Sequence, residues 1–240
     1  MNIQDIAHHA LLKQLEDFEA EHGTVIVMET ATGEIKAMSN LGRTEEGTYY
    51  EKRNYAVYEA HEPGSTFKLM AMVAALEDGV IDTSQIVDTE NGVVRFYGRA
   101  VRDSHHGGYG KISAARAFEV SSNTAFTKMI SEGYKNNPGK FVDRLDDMGV
   151  TRKIGLEIKG EGTPRIPHPD DKGWNGLSLP WMAFGYGVAV TPLQTLTFYN
   201  AIANDGEMVK PRFIKEVKEW DKTIVKMERE VMNPAICSPE

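Results

Sequence analysis

Residues 65–78, STFKLMAMVAALED, constrain this chain more than any other stretch. From Phe67 to Leu76 every residue except Lys68 is apolar, and a helix apolar on nearly all sides is stable only inside a protein. The segment KLMAMVAAL therefore reads as core, with Met70 and Met72 filling gaps between neighbours. Pro63-Gly64 breaks the chain just before it, and Gly79 is placed to cap its end. The rest of the chain must wrap a buried helix whose start carries a serine and a lysine three positions apart.

There is enough chain to do so. Its 240 residues suffice for one large domain or two small ones. A composition of 41% hydrophobic and 26% charged residues is that of a soluble globular protein. The net charge of −8 argues against nucleic acid or an acidic membrane as the dominant partner. Cys237 is the single cysteine, which excludes an internal disulfide and leaves the compartment open. The most apolar run, WMAFGYGVAV at 181–190, is too short and glycine-rich to span a bilayer. The opening residues are acidic-polar and helical, unlike a signal peptide.

Around the central helix, residues 4–20 place Ala7, Leu11, Leu15 and Phe18 on one helical face, ended by His22-Gly23. TVIVMET and EIKAMSN read as two strands of a hairpin joined through ATG. Residues 41–60 lack a period and read as an exposed connection. NGVVRFYG predicts a short strand or turn pair, and DSHHGGYG a loop. Ser113 caps a short helix ending near Glu119, a longer helix runs from Ser122 to Glu132, and KNNPG leads into another at 140–148. Residues 160–180 are loop. TPLQTLTFYNAIANDG is a helix with a Thr191/Gln194 capping box and Pro192 in its first position. RFIKEVKEW and TIVKMERE close the chain as a hairpin. No linker is long enough to force two domains.

The Ser65–Lys68 pair has a chemical reading. A serine at a helix start meets free backbone N–H groups and the positive end of the helix dipole, both favouring negative charge on its oxygen. Lys68 at i+3 shares its face. Desolvation by Phe67, Leu69 and Met72 lets that lysine become neutral and act as a base. With serine and lysine each near ~6% of typical sequence, about one Ser-x-x-Lys is expected by chance in such a length. The spacing alone decides little; its place directly after Pro-Gly, opening an apolar helix, decides more.

A second group completes the pattern. EVSSNTAF contains Ser121-Ser122-Asn123, the one Ser-x-Asn in the chain. Acyl transfer needs a proton relay to the leaving amine and an amide to hold the substrate backbone; Ser121 and Asn123 supply these. Ser122 reads as the N-cap of the following helix.

EPGSTFK followed by SSNTAF resembles the transpeptidase domain of penicillin-binding proteins, whose signature is S-x-x-K, S-x-N and K-T-G. GTVIVMETATGEIKAMSN, RDSHHGGYGKIS and GYGVAVTPLQTLTFYNAIANDG extend the resemblance over nearly the whole chain. It implies an α+β, penicillin-recognising fold, a helical lobe plus an antiparallel sheet. It implies Ser65 as nucleophile toward a D-alanyl-D-alanine stem peptide, with its backbone N–H in the oxyanion hole. Lys68 would be the base, Ser121 the proton relay and Asn123 the substrate-binding amide. β-Lactams would acylate the same serine. No metal or cofactor is implied. The look of the flanking segments favours the monofunctional, class B type, held at the bacterial cell membrane with its catalytic domain outside the cytoplasm. Its partners there would be cell-wall synthesis or division proteins.

The resemblance is incomplete: Lys-Thr-Gly, Lys-Ser-Gly and His-Thr-Gly are absent from the sequence. Residues 1–240 thus read as a partial transpeptidase domain, lacking the family's N-terminal anchor and pedestal and its C-terminal K-T-G part. The hairpin at 24–40 is then expected to keep an unpaired edge. Loss of one oxyanion donor, worth ~10²–10³ in rate, predicts weak or absent activity. Two other functions fit the same motifs: a β-lactam-binding sensor or non-catalytic scaffold, and a class D-like serine β-lactamase, which carries Ser-x-Val where this chain has Ser-x-Asn.

Other candidates are weaker. His105-His106 are adjacent and cannot easily share one metal ion, so they read as polar loop. His8-His9 point in different directions on a helix. GYG at 185–187 lacks the strand, spacing and lysine of a phosphate loop and reads as close backbone packing beneath the cleft. Tyr49 and Tyr50 fall in the exposed connection.

Overall fold

A computed structural model describes residues 2–238. They form two compact units: residues up to 60 with 153–163 and those from 190 on, and residues 61–152 with 164–189.

The first unit begins with α1 (Ile3–Phe18), whose Asn2 and Asp5 make a reciprocal capping box and whose end turns at Glu19 in the left-handed region. Ala7 and Leu15 are buried, but Phe18 is 76% exposed: the turn at Glu19 ends the helix three residues before His22, and Phe18 falls off the buried stripe. β1 (His22–Met28) and β2 (Ile35–Arg43) pair antiparallel, with Ile26 opposite Met38. β3 (Tyr49–Tyr50) adds to β2, so β1 is an edge strand among the described residues. The stretch 41–60 is more structured than its aperiodic sequence predicts. The Tyr49 hydroxyl donates to the carbonyls of Leu15 and Ala20, both at 2.8 Å. The short α2 (Tyr55–Tyr58) buries Ala56 and Val57 with Ile154 and Leu193.

The second unit contains the central helix. Gly64–Phe67 is a 3₁₀ turn, and α3 (Lys68–Glu77) follows. Ser65 therefore sits in the tighter turn rather than in the α-helix the sequence predicts. Met70, Ala71, Ala74 and Ala75 are almost fully buried, as an apolar helix requires. Two antiparallel pairs come next: β4 (Ile86–Asp88) with the later β7 (Lys111–Ser113), and β5 (Val93–Phe96) with β6 (Arg99–Arg102). α4 (Ala114–Glu119) is capped by Ser113, α5 (Asn123–Gly133) by Ser122 and α6 (Pro138–Asp147) by Asn137. α3 packs on α4, α5 and α6. The loop expected over 160–180 gives way at its end to the short α7 (Ser178–Met182).

The chain then returns to the first unit. α8 (Pro192–Ala203) carries the Thr191/Gln194 capping box. β8 (Met208–Val209) pairs with the later β11 (Val231–Asn233), and between them β9 (Glu216–Glu219) and β10 (Lys222–Lys226) form a hairpin turning at Trp220-Asp221.

Candidate functional site

All four motif residues lie in the second unit. Ser65 is exposed at the 3₁₀ turn, while Lys68, three residues on, is 1% exposed. The turn is held from behind by glycine. The Gly64 N–H donates to the Gly185 carbonyl at 3.1 Å. A Cβ on Gly185, whose φ is +85°, would lie 2.0 Å from the Gly64 oxygen. The Gly187 N–H donates to the Glu62 carboxylate at 2.8 Å. The GYG segment is thus a close backbone bed for the serine turn.

The second motif sits at the junction of α4 and α5. Ser121 has φ +54°, a left-handed conformation that costs a non-glycine residue roughly 1–2 kcal/mol. Ser122 is fully buried, and its hydroxyl accepts from the Ala125 N–H at 3.1 Å. With Ser122 committed to the cap, Ser121 and Asn123 are turned to the other side.

Both reach Lys68. Its Nζ donates to Ser121 Oγ (2.9 Å), the Ser121 carbonyl (2.6 Å), Asn123 Oδ1 (2.7 Å) and Ser65 Oγ (3.2 Å). It also stands 5.6 Å from the centre of the Phe126 ring. Burial pushes the Lys68 pKa down to about 8, partly opposed by the Asp103 carboxylate. Four oxygens round one nitrogen suit an ammonium, which has three protons to give; one proton lost near pH 8 leaves an amine directed at two hydroxyls. Asn123 is oriented from its other end, since Nδ2 donates to the Arg102 carbonyl at 2.8 Å. Its second amide hydrogen is left over for another acceptor.

Sequence reasoning gave Asp103 and Gly185 no individual role. Asp103 accepts from Ser122 and Thr124, and nothing local in the sequence announces that pairing. His105, by contrast, only bonds the Gly108 carbonyl and stacks on Tyr109. His8 and His9 bond Ser39 and the Asp5 carbonyl separately.

A family model for the penicillin binding protein transpeptidase domain matches residues 23–238. The chain belongs to that family. Among curated relatives, penicillin-binding protein PbpB of Mycolicibacterium smegmatis is 29% identical over 88% of this chain and 32% of its own length. Stage V sporulation protein D of Bacillus subtilis is 28% identical over 95% of this chain and 36% of its own. Peptidoglycan D,D-transpeptidase FtsI of Escherichia coli is 27% identical over 90% and 36%. The chain spans about a third of the length of these relatives, which place it with the class B penicillin-binding proteins. Crystal structures of penicillin binding protein 3 from Mycobacterium tuberculosis match 99% of this chain and 53% of theirs. The TM-scores are 0.81 for the apo form (26% identity) and 0.80 for the aztreonam complex (25% identity). The α+β penicillin-recognising fold expected from the sequence is the fold observed.

Proposed function

We propose that this chain carries the acyl-transfer centre of a serine-type peptidoglycan D,D-transpeptidase. The observation that carries the reading is the convergence of Ser65, Ser121 and Asn123 on the buried Lys68 amine. Ser65 Oγ attacks the carbonyl of the penultimate D-alanine of a stem peptide, and Lys68 takes its proton. The backbone N–H of Ser65 supplies one donor to the oxyanion. Ser121, hydrogen-bonded to Lys68, hands a proton to the departing D-alanine amine, and Asn123 holds the peptide backbone. The ester on Ser65 is then cleaved by the amine of a second stem peptide, which forms the cross-link and frees the serine. A β-lactam enters the same first step, but its amine stays tethered after the ring opens.

The Escherichia coli relative, a peptidoglycan D,D-transpeptidase, supports the reaction, and the aztreonam complex of the mycobacterial neighbour supports the β-lactam reading. Residues 1–240 are one partial transpeptidase domain, and the whole protein is anchored in a bacterial membrane with this domain outside, among wall-synthesis or division proteins. No helix among the described residues is long and apolar enough to cross a membrane.

The test is D-alanine release from a synthetic stem pentapeptide offered with a D-amino acid acceptor. Slow release with exchange product, abolished in Ser65→Ala, is expected. Rapid hydrolysis of benzylpenicillin would instead indicate a β-lactamase. A long-lived penicilloyl adduct with no D-alanine release would indicate a sensor.

A further inference from the structure

We infer that Asp103 is a positioning residue of this acyl-transfer centre: its carboxylate holds Ser122 and Thr124 from behind and so keeps Ser121 and Asn123 directed at Lys68. The inference rests on the transpeptidase reading for its kinetic consequence, but its geometry is independent of it. One carboxylate oxygen accepts from the Thr124 N–H at 2.9 Å and the Ser122 hydroxyl at 3.1 Å. The other accepts from the Thr124 hydroxyl at 2.8 Å and the Ser122 hydroxyl at 3.2 Å. Ser122 and Thr124 are both fully buried, so without this acceptor two interior hydroxyls and an amide would compete for partners.

The clamp is needed because the turn is strained. Ser121 is held left-handed, and such a residue persists only where its surroundings over-determine it. The neighbouring carbonyl works on the same motif, since Arg102 O takes Asn123 Nδ2 and leaves Oδ1 facing Lys68. Residues 102 and 103 therefore hold Ser122, Asn123 and Thr124 between them. Asp103 is itself anchored, its N–H donating to the Gly92 carbonyl at 2.9 Å. Gly92 (φ +73°) lies so close to Gly108 that a Cβ would fall 2.7 Å from the Gly108 nitrogen.

The second half of the role is electrostatic. The groups round Lys68 Nζ are Ser65, Ser121, Asn123 and the Phe126 ring, all uncharged. The Asp103 carboxylate opposes the downward shift that burial gives Lys68. On its own loop Asp103 has Arg102, His105 and His106 as charged or titratable neighbours, all exposed. Replacing the carboxylate by an amide removes that support, so the base deprotonates at lower pH. The same change mismatches the clamp, because an amide NH₂ would face donors.

The experiment follows benzylpenicillin acylation of the 240-residue chain against pH by intact mass. For Asp103→Asn the plateau rate is expected to fall roughly 10- to 100-fold, with the midpoint of the rising limb moved below that of the unaltered chain. Asp103→Glu, which keeps the charge, is expected to hold the midpoint and recover part of the plateau. An unchanged plateau and midpoint in Asp103→Asn overturns the proposal. So does a lower plateau with an unmoved midpoint, which is packing alone. If the unaltered chain is not acylated, its four side chains are not a working centre without the absent third motif, and amide exchange at Thr124 decides the clamp. Faster exchange in Asp103→Asn supports it, and equal exchange overturns it.

Discussion

Lys68 is a cation placed in the most apolar helix of the chain, and the cost of burying it is met by oxygen atoms from two motifs. Its deprotonation near pH 8 follows from that burial, so acylation should climb with pH through this range. The position of Ser65 depends on Gly185, where any side chain would strike the Gly64 carbonyl. Gly185→Ala is therefore expected to slow penicillin acylation about tenfold or more while circular dichroism stays unchanged. A variant acylated at the unaltered rate would show that the glycine bed does not set the serine. Ser65, Lys68, Ser121 and Asn123 were legible because each motif is a local spacing on a helix start. Asp103 and Gly185 were not, since their partners are brought near only by the fold. The loop that contains Asp103 looks like any polar, glycine-rich connection.

At the scale of elements, helix starts were the most readable feature. The caps at Ser113, Ser122 and Thr191 are hydrogen bonds to a residue three positions on, so composition and spacing reveal them directly. β3, β4, β7, β8 and β11 are two or three residues long and leave no period to read. The β5–β6 hairpin was half seen, because its turn through Tyr97-Gly98 lies within what reads as one turn pair. The far end of α3 is tied by a buried charge. Asp78, with a side chain 1% exposed, accepts from the Tyr134 hydroxyl at 2.8 Å and from Arg144 at 2.7 and 3.0 Å. Removing it takes the carboxylate from Arg144 and Lys140 and leaves the Tyr134 hydroxyl only the Ala74 carbonyl, so Asp78→Ala should cost about 3 kcal/mol in urea unfolding. A loss below about 1 kcal/mol, the range of exposed pairs, would show that the cluster is ornamental to stability.

Over the whole molecule, family membership rests on residues 23–238, while the proposed chemistry rests on four side chains within one compact unit. That separation lets a chain spanning about a third of its relatives still bring Ser65, Lys68, Ser121 and Asn123 together. The most direct measurement is intact-protein mass after incubation with benzylpenicillin, with Ser65→Ala as control. A mass increase of one penicilloyl group is expected in the unaltered chain and none in Ser65→Ala. An adduct that persists in Ser65→Ala, or a folded chain that takes none, would contradict the claim that Ser65 and Lys68 form a working acyl-transfer centre.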